Sequence, residues 1–312
     1  MMRVAQNNAW VLGLLLLLLA LLGVTKLIQP GFGATGLESL ARAALPFAFA
    51  TAGMAIVVIA GGIDLSIASI MAVCGVTAAV LMQSMGAVPA VVLTLCLGAV
   101  MGAINGGLIV LTRVPDIVVT LAMLFVWEGV ALLILSSPGG VVAPGLRALI
   151  TGSLVPYVPN ALLVIAVTIS LVWLPVRRAR LGLSIYAIGS DDLAAFRSGV
   201  NVGLTKVIAY GLAGVLAAMG GLSLIMLTGI GEPVPGPYLL ASVAAVVLGG
   251  VVLGGGRGGL LGPIIAVFVL RIIRTILTLA AVDPNVTTIV EGVIMVAVVM
   301  LGAVVTYRGV RT

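Results

Sequence analysis

Long apolar runs, separated by short polar or Gly/Pro-rich punctuation, recur along the whole chain. Ten of them approach the roughly 20 residues that a helix needs to cross a bilayer. They cover residues 10–28, 41–60, 66–84, 88–111, 115–136, 160–176, 204–229, 238–254, 259–281 and 286–306. Pro30-Gly31, Pro138-Gly139-Gly140, the stretch from Pro156 to Asn160 and Asp283-Pro284-Asn285 divide them, because Pro and Gly disfavour helix continuation. The pattern predicts an all-α, polytopic integral membrane protein with about ten transmembrane helices, forming one domain over residues 1–312.

Composition agrees. Only 8% of the 312 residues are charged and 62% are hydrophobic, against about 25% charged in a soluble domain. So few charges cannot clothe a water-facing surface, and the bilayer must be much of the solvent. The net charge of +6 comes from 15 Lys and Arg against nine Asp and Glu. With the N-terminus cytoplasmic, ten of the 15 fall on the cytoplasmic side: Arg3, Arg113, Arg177, Arg178, Arg180, Arg197, Lys206, Arg257, Arg308 and Arg311. Lys26, Arg42 and Arg147 fall outside, and Arg271 and Arg274 lie within a span. This bias predicts that both termini are cytoplasmic. It also reads the basic excess as membrane orientation, not nucleic-acid binding. The first run is expected to be a retained helix, since no small-residue cleavage site precedes Lys26.

The absences narrow the chemistry. The chain has no His, and its two cysteines, Cys74 and Cys96, sit in apolar runs without metal or disulfide spacing. Both read as buried free thiols. Neither Lys26 nor Lys206 belongs to a phosphate-cradling glycine loop. No catalytic residue, metal or cofactor is expected, and any ATP hydrolysis falls to another subunit.

Two glycine-interrupted segments echo one another. Ala55-Ile56-Val57-Val58-Ile59-Ala60-Gly61-Gly62 resembles Ala244-Ala245-Val246-Val247-Leu248-Gly249-Gly250 in the other half. The echo predicts a two-half internal pseudo-repeat. Such interruptions at corresponding places mark the substrate path of repeated transporters, although paired glycines also simply let helices pack closely. After Gly61-Gly62, Asp64 and Ser66 can cap a helix beginning near Leu65. Asp64 is then either a cap alone or part of a broken helix lining a path, since irregular backbone at membrane depth needs protein or water beside it.

Residues 177–206 form the longest polar stretch. Gly189 is expected to break the chain and Ser190 to cap a short helix with Asp191 and Asp192 in its first turn. That helix contains Leu193, Ala194, Ala195, Phe196 and Arg197 and ends at Gly199. At about 12 Å it is too short to span. Leu193 and Phe196 share one face, so it lies on lipid or docks onto a partner. Charges inside spans are costly in lipid. Of Glu128, Arg271, Arg274 and Glu291, the last two lie at similar depth on consecutive spans and are expected to pair. Arg271 shares the face of Arg274, and the three read as a structural clasp or as a solute contact. Asn105 and Thr120 either bond neighbouring helix carbonyls or offer hydrogen bonds to a solute. Phe47, Phe49, Phe125 and Trp127 are apolar wall or packing residues.

The segment from Thr51-Ala52-Gly53-Met54 through Gly61-Gly62-Ile63-Asp64-Leu65-Ser66 resembles the signature of ribose/xylose-type ABC importer permeases, within the superfamily of branched-chain amino acid and sugar permeases. Similar matches follow in order. They are Gly102-Ala103-Ile104-Asn105-Gly106, Val114-Pro115, Val119-Thr120-Leu121, Arg178-Ala179-Arg180-Leu181-Gly182, Tyr186-Ala187-Ile188-Gly189, Val246 to Gly250 and Gly254-Gly255-Gly256. Departures from the family pattern are Ile67-Ala68, Leu183, Asp191 and Glu128 beside Gly129.

The resemblance implies a non-catalytic permease subunit for a monosaccharide or polyol in the bacterial inner membrane. It implies partners: separate ABC ATPase subunits, a second permease and a periplasmic sugar-binding protein. The short helix would be the coupling helix onto the ATPase. Gly61, Gly62, Asp64, Ser66, Asn105, Thr120, Phe125, Trp127, Gly249 and Gly250 would line or gate the path. The rival reading is an ion-gradient-driven secondary transporter or channel, for which a basic loop with a capped short helix has no role.

Overall fold

The structure, a computed structural model, describes residues 2–152, 154, 158–234 and 236–310. Pro156 and Arg311 lie outside the described residues. The described chain forms 13 helices. These are α1 (Met2–Ile28), α2 (Ala34–Ile59), α3 (Ile67–Leu81), α4 (Ala87–Thr112), α5 (Asp116–Ile134), α6 (Pro144–Thr151) and α7 (Asn160–Arg178). They continue with α8 (Arg180–Ser190), α9 (Asp192–Arg197), α10 (Val202–Thr228), α11 (Tyr238–Leu248), α12 (Leu261–Leu279) and α13 (Pro284–Val310).

Seven helices are long and apolar enough to cross a membrane: α1 from Ala9, α2, α4, α5, α7, α10 and α12. Three more apolar segments are shorter: α3, α11 and Pro284–Met300 of α13. Each of the ten apolar runs therefore coincides with a helix. Two runs overstate their helices, however. The 15 residues of α3 and the 11 of α11 reach only about 22 and 16 Å at 1.5 Å per residue, short of a hydrocarbon core about 30 Å thick. Each adjoins a glycine break. The pattern also missed α6 and α8, whose apolar positions are too few to form a run.

The core is built around α10, which packs on α2, α3 and α4. Between apolar helices in lipid, close backbone approach takes over from the hydrophobic effect. Gly98, Gly102 and Gly106 recur every four residues along α4 and meet Gly214, Tyr210 and Val207 of α10. A Cβ at Gly102 would collide with the Tyr210 carbonyl. On other faces of α10, Gly53 of α2 meets Ala213 and Gly75 of α3 meets Gly221. α2 is the most enclosed span, buried almost throughout its second half.

The loops gather at two ends. At one end the segment after α2 touches α8 and the loop after α11, through Gly61, Gly189 and Gly255. At the other, Gly139 and Gly231 exchange backbone hydrogen bonds (3.0 and 2.7 Å) and Val141 N–H donates to the Ala79 carbonyl (3.0 Å).

Candidate translocation and coupling site

The two sequence echoes fold into the same device. At the end of α2, Gly61 takes a left-handed conformation (φ 87°). Its N–H donates to the Val58 carbonyl and that of Gly62 to Val57 (both 3.0 Å). At the end of α11, Gly250 does the same (φ 83°), with Gly250 N–H on Val247 (2.9 Å) and Val251 N–H on Val246 (3.1 Å). Both are Schellman ends, which need a left-handed residue that glycine supplies without a Cβ penalty. The Leu248 carbonyl, freed at the second break, accepts from the Trp10 indole of α1 (2.9 Å). Nothing in the α1 pattern singled out Trp10.

Beyond the first break a buried polar chain forms. Asp64, Ser66, Asn105 and Thr120 are all completely buried. Asp64 Oδ1 accepts from the Ser66 backbone N–H (2.9 Å) and hydroxyl (2.6 Å). Ser66 Oγ accepts from Asn105 Nδ2 (2.6 Å), and Asn105 Oδ1 accepts from the Trp127 indole (3.2 Å). Asp64 and Ser66 thus bond one another; Ser66 sits at the α3 N-cap position without a side-chain capping bond. Thr120 does bond backbone carbonyls, donating to Asp116 (2.8 Å) in its own helix and lying 3.1 Å from that of Ile63 in the break. A second cluster adjoins. Tyr210 donates to Asp116 Oδ2 (2.9 Å) and Lys206 Nζ lies 3.8 Å from Asp116 Oδ1. A Cβ at Gly62 would overlap that carboxylate and come within 2.6 Å of the Tyr210 hydroxyl. Lys206 and Tyr210 are one turn apart on α10, but Asp116 comes from the distant start of α5, so no local pattern joined the three.

The 177–206 stretch differs from expectation in two respects. Gly189 does not break the chain, because α8 runs through it to Ser190. Ser190 is not the cap, because it ends α8 and its hydroxyl donates to the Tyr186 carbonyl (2.9 Å). Asp191 is the N-cap of α9, its carboxylate accepting from Ala194 N–H (2.9 Å). A carboxylate is the better cap there, since it also meets the positive end of the helix dipole. Asp192 opens the first turn and Arg197 closes the last. Gly199 (φ 85°) ends α9 in a third Schellman turn, with Val200 N–H on the Ala195 carbonyl (3.0 Å). Ala195 faces inward, whereas Leu193 and Phe196 are 55% and 67% exposed. On so small a helix that leaves its two large apolar side chains uncovered.

What Gly189 does is permit contact. A Cβ there would strike the Ile59 carbonyl and lie 2.6 Å from Gly256 N. Gly255 (φ 80°) lies against both Gly189 and Gly61, and Gly256 N–H donates to the Ile59 carbonyl (2.9 Å). The Tyr186 hydroxyl donates to the Gly258 carbonyl (2.8 Å). Through this junction α8 holds the end of α2 and the loop after α11 together.

The intramembrane charges separate. Arg274 Nε lies 3.5 Å from Glu291 Oε1. Arg271 does not join them; its guanidinium lies over the rings of Phe47 (5.3 Å) and Tyr238 (5.9 Å). The three are therefore not one clasp. Phe49 is buried packing. Phe125 is 65% exposed on the outside of the isolated chain, away from the polar cluster that Trp127 enters. Cys74 is buried as expected, but Cys96 is exposed on α4.

A bundle of apolar helices, seven of them long enough to cross a membrane, with two matched glycine breaks, defines a polytopic membrane protein. The chain belongs to the family described as branched-chain amino acid transport system / permease component, which matches residues 36–299. It is 30% identical over 298 residues to the ribose import permease protein of Escherichia coli K12, covering 92% of each chain. It is also 30% identical over 255 residues to the autoinducer 2 import system permease protein of the same strain, covering 79% of this chain and 77% of that one. No solved structure matches it significantly.

Proposed function

We propose that the chain is the membrane-spanning permease subunit of an ATP-driven ABC importer for a monosaccharide or related polyol, resident in the bacterial inner membrane. The relatives named for ribose and autoinducer 2 import support this solute class. The subunit provides the path and couples it to ATPase subunits; hydrolysis belongs to those partners. A periplasmic sugar-binding protein delivers the solute. All ten apolar helices cross the bilayer, α3 and α11 with the help of their breaks, and both termini are cytoplasmic.

The observation that carries coupling is the glycine junction. α9 presents Leu193 and Phe196 outward, while α8 touches the first break at Gly61 and the loop after α11 at Gly255. A push on α9 therefore reaches the first break and the loop that follows α11 through close backbone contacts. ATP binding then favours one of two conformers, as any ligand must through differential affinity. A second permease covers α4 and α5. Glu128, half-buried, forms no ion pair among the described residues, and a charge facing lipid is costly. The polar chain from Asp64 to Trp127, with Thr120, is the cytoplasmic-side gate.

Co-expression with the neighbouring genes, purification on a tag and ATPase assay in nanodiscs test this reading. An ATPase is expected to co-purify with wild type and to be lost with Phe196→Asp, which puts an unpaired charge into the docking surface. Purification without any ATPase, together with uptake driven by an ion gradient, would select the secondary-transporter reading instead.

A further inference from the structure

The separation of Arg271 from the Arg274–Glu291 pair leaves a cation with an unexplained environment. Its Nε is buried and has no hydrogen-bond partner among the described residues. Two rings, Phe47 and Tyr238, with centroids 6.4 Å apart, hold its guanidinium by cation–π contact. Arg271 lines a cavity of about 110 Å³, together with Phe47, Tyr238, Arg274 and Glu291. That volume equals only a few water molecules at about 30 Å³ each, so it admits one edge of a solute rather than a whole one. Gly236 and Pro237, the backbone that leads into α11, also line it. Irregular backbone of this kind is tolerated at membrane depth where it borders a cavity. The cavity also lies at the far end of α11 from the Gly249-Gly250 break, so one short helix connects the two places.

The lining selects the ligand chemistry. A guanidinium only donates hydrogen bonds and a carboxylate only accepts them. Arg271 and Arg274 supply donors to this cavity, and Glu291, 3.5 Å from Arg274, supplies an acceptor. A hydroxyl group both donates and accepts, so it satisfies both. The rings offer apolar faces to ring C–H groups. We propose that this cavity is a solute-binding station for a neutral polyhydroxylated molecule, with Arg271 donating to its hydroxyl oxygens and Glu291 accepting from a hydroxyl. This rests on the monosaccharide reading above and assigns Arg271 to the solute rather than to a clasp.

The test is uptake by proteoliposomes holding the complete transporter and its binding protein. The probes are radiolabelled d-ribose and 2-deoxy-d-ribose, which has one hydroxyl fewer. Arg271→Gln is expected to lower ribose uptake about tenfold or more, the scale of one hydrogen bond to a charged group, and to narrow the preference for ribose over the deoxy sugar. Arg271→Lys keeps the charge but loses the two-pronged donor; it is expected to recover part of the rate and less of the preference. Unchanged uptake and preference in both variants would overturn the proposal. Failure of both variants to assemble by gel filtration would assign the cation to packing and overturn it too. A wild-type complex that hydrolyses ATP yet takes up neither sugar, nor any of a panel of radiolabelled pentoses, hexoses and polyols, would remove the monosaccharide reading, and this inference with it.

Discussion

Asn105 shows how single residues acquire roles that their neighbours in sequence do not reveal. Its amide donates to Ser66 Oγ and accepts from the Trp127 indole, so it joins α4, the first break and α5. The sequence offered Asp64 and Ser66 as helix caps, not as partners of one another; the extension through Asn105 to Trp127 was not legible either, because it spans 63 positions and depends on how three helices meet. Backbone conformation behaves likewise. The glycines at 61, 199 and 250 announced their helix ends, but α12 also ends in a left-handed residue, and that residue is Ala281 (φ 56°). Its N–H donates to the Thr278 carbonyl and that of Val282 to Leu277 (both 3.0 Å). The left-handed conformation costs a Cβ-bearing residue about 1–2 kcal/mol. Ala281→Gly is therefore expected to stabilise the purified protein by about 1 kcal/mol, read as a higher thermal midpoint in detergent; an unchanged or lower midpoint would show that the strain is relieved elsewhere.

Hydrophobic runs located ten helices, but they could not locate where two of them stop. Val251-Val252-Leu253 extends the apolar run after α11, so composition alone carries the span to 254. The helix stops at Leu248 because Gly250 turns left-handed and Trp10 takes up the Leu248 carbonyl. The same limit applies to α8 and α9. The short capped helix and its terminator Gly199 were readable, whereas the continuation of α8 through Gly189 was not, since that glycine is required by contact rather than by a turn. Gly189→Ala tests the point. The added methyl would meet the Ile59 carbonyl and Gly256 N, and overpacking of this kind costs about 1–3 kcal/mol. We expect Gly189→Ala to keep its ATPase, because α9 is intact, while uptake falls. Normal uptake would show that the junction does not transmit motion.

Orientation is a property of the whole molecule. If the helices alternate as proposed, α9 faces the cytoplasm and the turn after α3 faces the periplasm. In a Cys96→Ser background, with Cys74 buried, Ser84→Cys should react with a membrane-impermeant maleimide in intact cells. Asp192→Cys should react only after permeabilisation. The reverse result would invert the topology and remove the coupling reading. The bias of Lys and Arg toward one side already pointed this way, and the meeting of Gly61, Gly189 and Gly255 at one end of the bundle agrees with it.

By itself the sequence determined the solvent, the helical class, the number of apolar helices, the two glycine caps and the family resemblance. The first four follow from local composition, periodicity or spacing, because bilayer insertion and helix ends are decided within some 20 residues; the resemblance rests on motifs matched in order. Only the tertiary structure decided which side chains meet. It placed Asp116 with Tyr210 and Lys206, set Gly189 against the end of α2 and the loop after α11, and laid Arg271 over Phe47 and Tyr238 while Arg274 pairs with Glu291. Those contacts join segments far apart in the chain, and helix packing in lipid selects them through close backbone approach at glycines, which carries no periodic hydrophobic signal.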